Sequence, residues 1–277
     1  MRVRDLAVSC AVVLCAVSLF AQEKLTAEDV VARHLESIGA ATARAAVKSR
    51  TAQAATRMDM IVGGAAHAEG TAMMVSLGRQ LSLQLKFPDR QYPDEQFVFD
   101  GKEVKIALTG PNTRSRLGDF LYRGEAVVRE SLLGGTLLTS WALLDQRARQ
   151  AKLKYQGLKK IENHELHGVA YFPKRADGNL QIHLYFEPET FRHVKTIYTF
   201  TVPPEMAPRD GRRPRVQALD RTDMRYRVEE TFSDFRTVDG LTVPGHWKLQ
   251  YTTEAGQTMS AAFDFTLGAI VHNNVVD

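Results

Sequence analysis

Cysteine is almost missing from this chain. The only two, Cys10 and Cys15, lie close to the N-terminus. If that stretch is removed on export, the rest has no disulfide framework and must hold together by its core alone. Charge of one sign is also scarce. A formal net charge of +4 is too small to argue for nucleic acid, though it suits weak attraction to an anionic lipid surface. Long apolar runs are limited to Leu6–Phe20, which is shorter than the ~20 residues a spanning helix needs. No later stretch is apolar enough to cross a bilayer.

That run follows Arg2 and Arg4 and precedes Ala21 and Gln22. The layout is that of a secretory signal peptide, with residues 1–21 removed and 22–277 forming one domain. A membrane anchor is the alternative. Cys10 and Cys15 lack the sequence context of a lipid-modified cysteine. Export in this form places the protein in the periplasm.

The mature chain is organised around residues 179–202. Leu180, Ile182, Leu184 and Phe186 alternate with polar residues. After Pro188-Glu189-Thr190 the alternation resumes at Val194, Thr196, Tyr198, Phe200 and Val202. Period-two patterning around proline-containing punctuation predicts two strands and a tight turn.

The same design recurs along the chain. Residues 26–39 predict a helix capped by Thr26 and stopped at Gly39, with Val30, Val31, His34, Leu35 and Ile38 on one face and His34 at its rim. Residues 40–47 add a short second helix. Strands follow with Ala52, Ala54, Thr56, Met58, Met60 and Val62 in phase, then, past Gly63-Gly64, Thr71, Met73, Val75 and Leu77, then Leu81, Leu83, Leu85 and Phe87. Residues 88–93 make a loop. A hairpin turns at Asp100-Gly101, a pair suited to the twist of such turns. Residues 117–121 are a short apolar piece. Residues 125–133 and 136–150 predict two helices parted by Gly134-Gly135, with Trp141 on the apolar stripe of the second. Strands resume at Leu153, with a hairpin through Glu162-Asn163-His164. A basic, proline-rich segment at 203–227 interrupts them, and strands at 228–235, 241–251 and 258–267 complete the set. The sum is an α+β fold: a single strongly curved antiparallel sheet of about ten or eleven strands, with helices on its concave face.

Motifs for chemistry are sparse. Ser140 lies in Thr-Ser-Trp without the glycine elbow that exposes a hydrolase serine. His164-Glu165-Leu166-His167 spaces its histidines by three, in a hairpin, whereas the zinc peptidase pattern needs four on a helix. Residues three apart on a strand face opposite ways. His183 and His193 flank the central turn without an evident third ligand. Gly134-Gly135 lacks the following Lys-Ser/Thr of a phosphate loop. Glu187 and Glu189 show no acid–base pairing. The arginines of 203–227 could meet lipid phosphates or simply be solvated. No metal, cofactor or catalytic set is predicted.

The export signal, the capped N-terminal helix and the Met-, Leu- and Phe-rich strands occur with the phrases GLKKIENHELHGVAYFPK, LYFEPETFRHVKT and ETFSDFRTVDGLTVPGHW. Together they resemble the outer-membrane lipoprotein carriers of the LolA/LolB-like superfamily, over most of residues 22–277. The resemblance implies an unclosed β-barrel with helices across its mouth and an apolar cavity for acyl chains. Its partners would be lipoproteins or other acylated amphiphiles and membrane-associated donor and acceptor proteins, with the carrier itself a monomer. Arg57 and Arg79 are candidates for the arginine that holds a lid in such carriers. The cavity wall is predicted from Met58, Met60, Met73, Val75, Leu83, Leu85, Phe97 and Phe99, with Trp141 near its entrance. Two other functions fit the same sheet. One is an envelope-stress sensor that binds a partner protein. The other is a lipid-modifying hydrolase using a histidine, for which the sequence supplies no converging set.

Overall fold

The computed structural model describes residues 25–61, 65–88, 94–107, 114–175, 179–202, 223–255 and 257–274. The predicted signal peptide, the Gly63-Gly64 turn and most of the 88–93 loop lie outside them.

Alternation of apolar and polar residues builds one sheet of twelve antiparallel strands. They are β1 (Ser49–Ile61), β2 (Ala65–Leu77), β3 (Gln80–Lys86), β4 (Glu95–Phe99), β5 (Val104–Ile106), β6 (Lys152–Ile161), β7 (His164–Phe172), β8 (Gln181–Phe186), β9 (His193–Val202), β10 (Met224–Ser233), β13 (His246–Ala255) and β14 (Gln257–His272). A separate ribbon pairs β11 (Arg236–Val238) with β12 (Leu241–Val243). The spatial order is β5-β4-β3-β2-β1-β14-β13-β10-β9-β8-β7-β6. Each half is a meander, and the first and last strands join the halves. The edges β5 and β6 do not pair, so the barrel is not closed.

The sheet is strongly curved. The carbonyl of Arg129 accepts from Arg79 Nη2 at 3.2 Å, in the turn after β2, and the carboxylate of the next residue, Glu130, accepts from Tyr171 Oη of β7 at 2.7 Å. Strands β2 and β7 are seven steps apart in the order. On a flat sheet that is about 34 Å, too far for two adjacent residues to reach both. One contiguous apolar core fills the curl.

Helix α1 (Ala27–Ile38) forms where predicted, and Thr26 and Asp29 close a reciprocal capping box. Helices α2 (Ala41–Ala46), α3 (Arg116–Arg123) and α4 (Ala126–Arg129) follow. The piece expected at 117–121 is thus the body of α3, started by the Ser115 cap on Gly118 N.

Several expectations change. Residues 136–150 are not a helix. They form two single 3-10 turns, Gly135–Leu137 and Ala142–Leu144, separated by a turn in which Trp141 N donates to the carbonyl of Leu138. Burial on several sides has overridden the helical pattern. Strand β10 starts at Met224, so Arg225 and Arg227 belong to a strand, while 203–222 lie outside the described residues. Residues 241–251 split at Gly245 into β12 and β13. A bulge between Tyr185 and Phe186 puts His193, not Val194, on the inner face. Val194 packs instead with Leu166, Tyr185 and Ile197 in a small outer cluster.

The face of β2 is also reversed. Ala72, Met74 and Ser76 are buried, whereas Met73 is 40% exposed and Val75 only partly buried. Register explains this. Met74 lies opposite Ala52 and Leu83, and Ala72 opposite Ala54 and Leu85, all facing inward. A strand cannot change phase without a bulge, so the neighbours place Met73 and Val75 outward despite their apolar bulk.

Candidate functional site beneath the strap

Residues 114–151 run across the inner face from one arm of the sheet to the other. Apart from α3 and α4 they contain little regular structure, so their backbone groups need partners other than a helical ladder. Several come from polar side chains on the inner face.

Glu230 is the centre of this set. It falls in phase with Tyr226, Val228 and Phe232 on β10, all buried. Its Oε1 accepts from Gly134 N at 2.6 Å and Trp247 Nε1 at 3.0 Å, and its Oε2 accepts from Tyr198 Oη at 2.6 Å. Burial raises its pKa to about 7, against the lowering effect of these three donors. Tyr198 in turn is pushed well up by burial and by the adjacent carboxylate.

Gly134 and Gly135 both have positive φ, 83° and 54°. A Cβ on Gly134 would stand 2.9 Å from Met74 Cε, and one on Gly135 would stand 3.0 Å from His193 Nδ1 and Phe232 Cζ. Glycine is required there both by conformation and by close approach.

Trp141 is fully buried. Its Nε1–H donates to His34 Nε2 at 3.0 Å, which leaves His34 Nδ1–H to donate to the carbonyl of Phe191, also 3.0 Å. This fixes a neutral imidazole, and burial lowers the His34 pKa to about 4. His34 is therefore interior, not at the rim of α1. The indole of Trp141 stacks on His193, with centroids 4.9 Å apart. His193 Nε2 bonds to Thr196 Oγ1 at 2.7 Å, while Nδ1 is buried without a partner. Its pKa is held well below the usual value by burial and by nearby His34.

A third tie is Arg50. Its Nη1 donates to the carbonyl of Thr136 and its Nε to His272 Nε2 at 2.9 Å, and His272 bonds Asp239 through Nδ1 at 3.0 Å. Arg50 is 4% exposed and forms no ion pair with a carboxylate among the described residues. Burial lowers its pKa to about 10. Of the two arginines expected to hold a lid, Arg79 reaches the strap at Arg129, while Arg57 pairs with Asp59 on the outer face.

Met58, Leu83, Leu85, Phe97, Phe99 and Trp141 are buried in the one core, Met60 packs partly buried against it, and Met73 and Val75 do not share it. Apolar side chains of the sheet and the strap form one contiguous core. A space of about 20 Å³ remains beside Trp141, bounded by Ile38, Arg50, Thr136, Leu138 and Leu241. Small-molecule pockets commonly hold 300–1,000 Å³. A larger open groove of about 520 Å³ lies between Gln53, Ala55, Thr71, Met73, Gln84 and Lys86.

Ser140 Oγ donates to Ser131 Oγ, not to a base. His183 bonds Gln156. Among the described residues, no group of three or more His, Cys, Asp or Glu could hold a metal.

Glu230 and Arg50 were not singled out from the sequence, and His193 only as a residue flanking the central turn, not as an interior group. A readable signal exists for two of them. Glu230 interrupts the apolar phase of β10, and Arg50 stands in the phase of Ala52, Ala54 and Met58. A charged residue on the inward phase of a strand marks a buried polar tie. His193 could not be found so, because a bulge decides its phase.

No family model matches the chain, and no curated protein does. Solved structures match its fold over about nine-tenths of its length. A LolA superfamily protein from Nitrosomonas europaea aligns at 10% identity and TM-score 0.47, covering 91% of this chain and 96% of its own. A domain from Vibrio parahaemolyticus, assigned to outer membrane lipoprotein sorting, aligns at 10% identity and TM-score 0.46, covering 90% and 94%. A DUF1329 family protein from Desulfovibrio piger aligns at 8% identity and TM-score 0.38, covering 90% and 94%. The likeness is one of fold alone.

Proposed function

We propose that this protein is a periplasmic carrier that shelters the acyl chains of lipoproteins or related amphiphiles between its curved sheet and the 114–151 strap. The reading rests on one observation: the mouth of an unclosed, apolar-lined barrel is covered by a segment tied to both arms by polar side chains and packed into the core beneath it. Sheltering an acyl chain gains about 0.8 kcal/mol per methylene. Strap side chains such as Leu132, Leu137 and Trp141 occupy the core, so cargo would take their place there, and holding and release depend on how cheaply the strap's ties and packing give way. Donor and acceptor proteins at the membranes would supply and receive the cargo.

The test is mass spectrometry of molecules extracted from the natively purified protein, with hydrogen exchange over the strap before and after loading with a lipidated peptide. Co-purifying acylated molecules and altered protection at 129–150 are expected. Confirmed acyl binding with unchanged strap exchange would remove the strap from the mechanism. A stable complex with a partner protein and no acyl binding would favour a regulatory binding protein instead.

A further inference from the structure

We propose that the outer face of β6 and β7 docks on an anionic lipid bilayer. Phe172 ends β7 with 49% of its surface exposed. Directly opposite it in the antiparallel pair is Lys152, and the next position on that face, opposite Ala170, is Lys154. Cross-strand partners point to the same side, so both ammonium groups flank the ring. Lys159 shares this face past the β6 bulge, where a Cβ on Gly168 would stand 3.2 Å from its Cγ. Lys174 and Arg175 follow Phe172 directly after Pro173, and all five cationic side chains are exposed.

These cations are not neutralised within the fold. No carboxylate among the described residues forms an ion pair with Lys152, Lys154, Lys159, Lys174 or Arg175. Glu162, in the β6–β7 turn, and Glu229 are both engaged by Lys195 at 2.8 Å, and Glu165 of β7 lies opposite Lys160. One acid, Asp177, occurs in the connection 173–180.

Lysines on an edge strand also deter pairing between sheets. That role explains the charge but has no use for a half-exposed aromatic at its centre. A cationic strip around an aromatic ring complements a bilayer, where anionic headgroups take the ammonium groups and the ring enters the interface. The inference stands apart from the carrier reading, since a docked protein with an empty interior would satisfy it.

The test uses the chain from Gln22 onward, which keeps every core residue. It is floated with vesicles of phosphatidylcholine, with or without phosphatidylglycerol. Binding should require the anionic lipid and weaken with salt. The triple variant K152Q/K154Q/K159Q should bind roughly a hundredfold more weakly, at about fivefold per lysine. Phe172→Ser should lose about tenfold with its salt dependence unchanged, and Lys102→Gln, on a distant turn, should bind as wild type. Thermal melts check that each variant is folded. If the triple variant fails to fold, the salt titration and Phe172→Ser decide. Equal binding to neutral vesicles, undiminished binding by the folded triple variant, or retention on polyglutamate without vesicle binding would overturn the proposal.

Discussion

Glu230 is shielded from water and still accepts from three donors, so its protonation is linked to folding. Its folded pKa, about 7, lies above the ordinary carboxylate value. The stability it contributes is therefore fully present below about pH 4.5 and is lost as pH rises through 7. His34 acts in the other direction. Its folded pKa of about 4 is below the ordinary value, so its contribution is present above about pH 6.5 and fades as pH falls through 4. His193 shares that sign. The two effects oppose one another in mild acid, and the Glu230 part is isolated by difference. Glu230→Gln should gain on wild type between pH 5 and pH 8, by an amount on the order of 3 kcal/mol, read from urea midpoints. A constant difference across that range would mean the carboxylate stays in one protonation state. Trp141→Phe tests the neighbouring bond. It leaves His34 Nε2 without its donor and should cost about 1–3 kcal/mol. Trp141→Ala should reach about 3–5 kcal/mol, because the ring is enclosed by His34, His193 and the core rather than lining an open cavity.

Helix α1 was legible almost completely, because its signals are local. Thr26, Asp29 and Gly39 define its ends and a 3.6-residue stripe defines its buried face. Thr26→Ala should cost about 1 kcal/mol through loss of the capping box, measured by thermal melting. The strands were legible as strands but not always in phase. On β2, apolar residues occupy both faces, so composition favoured Met73 and Val75 while the register with β1 and β3 buried Met74 and Ser76. The strap was misread for a related reason. The apolar spacing of 136–150 suits a helix, but Arg50 donates to the carbonyl of Thr136 and Ser76 Oγ accepts from the amide of Thr139, so partners outside the strap replace the helical ladder. Tertiary partners, invisible in a single sequence, select the irregular path. Gly135→Ala should destabilise by about 1–3 kcal/mol, since it combines a strained φ with crowding against His193 and Phe232. A neutral result in denaturant titration would show that the loop relaxes.

Across the whole molecule, curvature could be anticipated from the strand count and the open edge from the family resemblance, but the ties across the mouth could not. They join residues far apart in sequence, such as Gly134 with Glu230 and Arg50 with Thr136. The strand order carries a further consequence, for how the protein folds. Strands β1 to β5 and β6 to β10 each form by neighbour-to-neighbour pairing, which keeps loop closure short. The seam between β1 and β14 is different. It pairs Met58 with Phe263 and Thr56 with Phe265, closing a loop of about two hundred residues. Asn273 then accepts from Lys48 N, fastening the same junction. Such a closure comes late, after the two meanders have formed. Met58→Ala should accordingly speed unfolding and leave the refolding rate almost unchanged in stopped-flow measurements. Leu83→Ala, inside one meander, should slow refolding. The seam would then be where the native protein first comes apart, between two preformed meanders whose strands pair with each other only through β1 and β14.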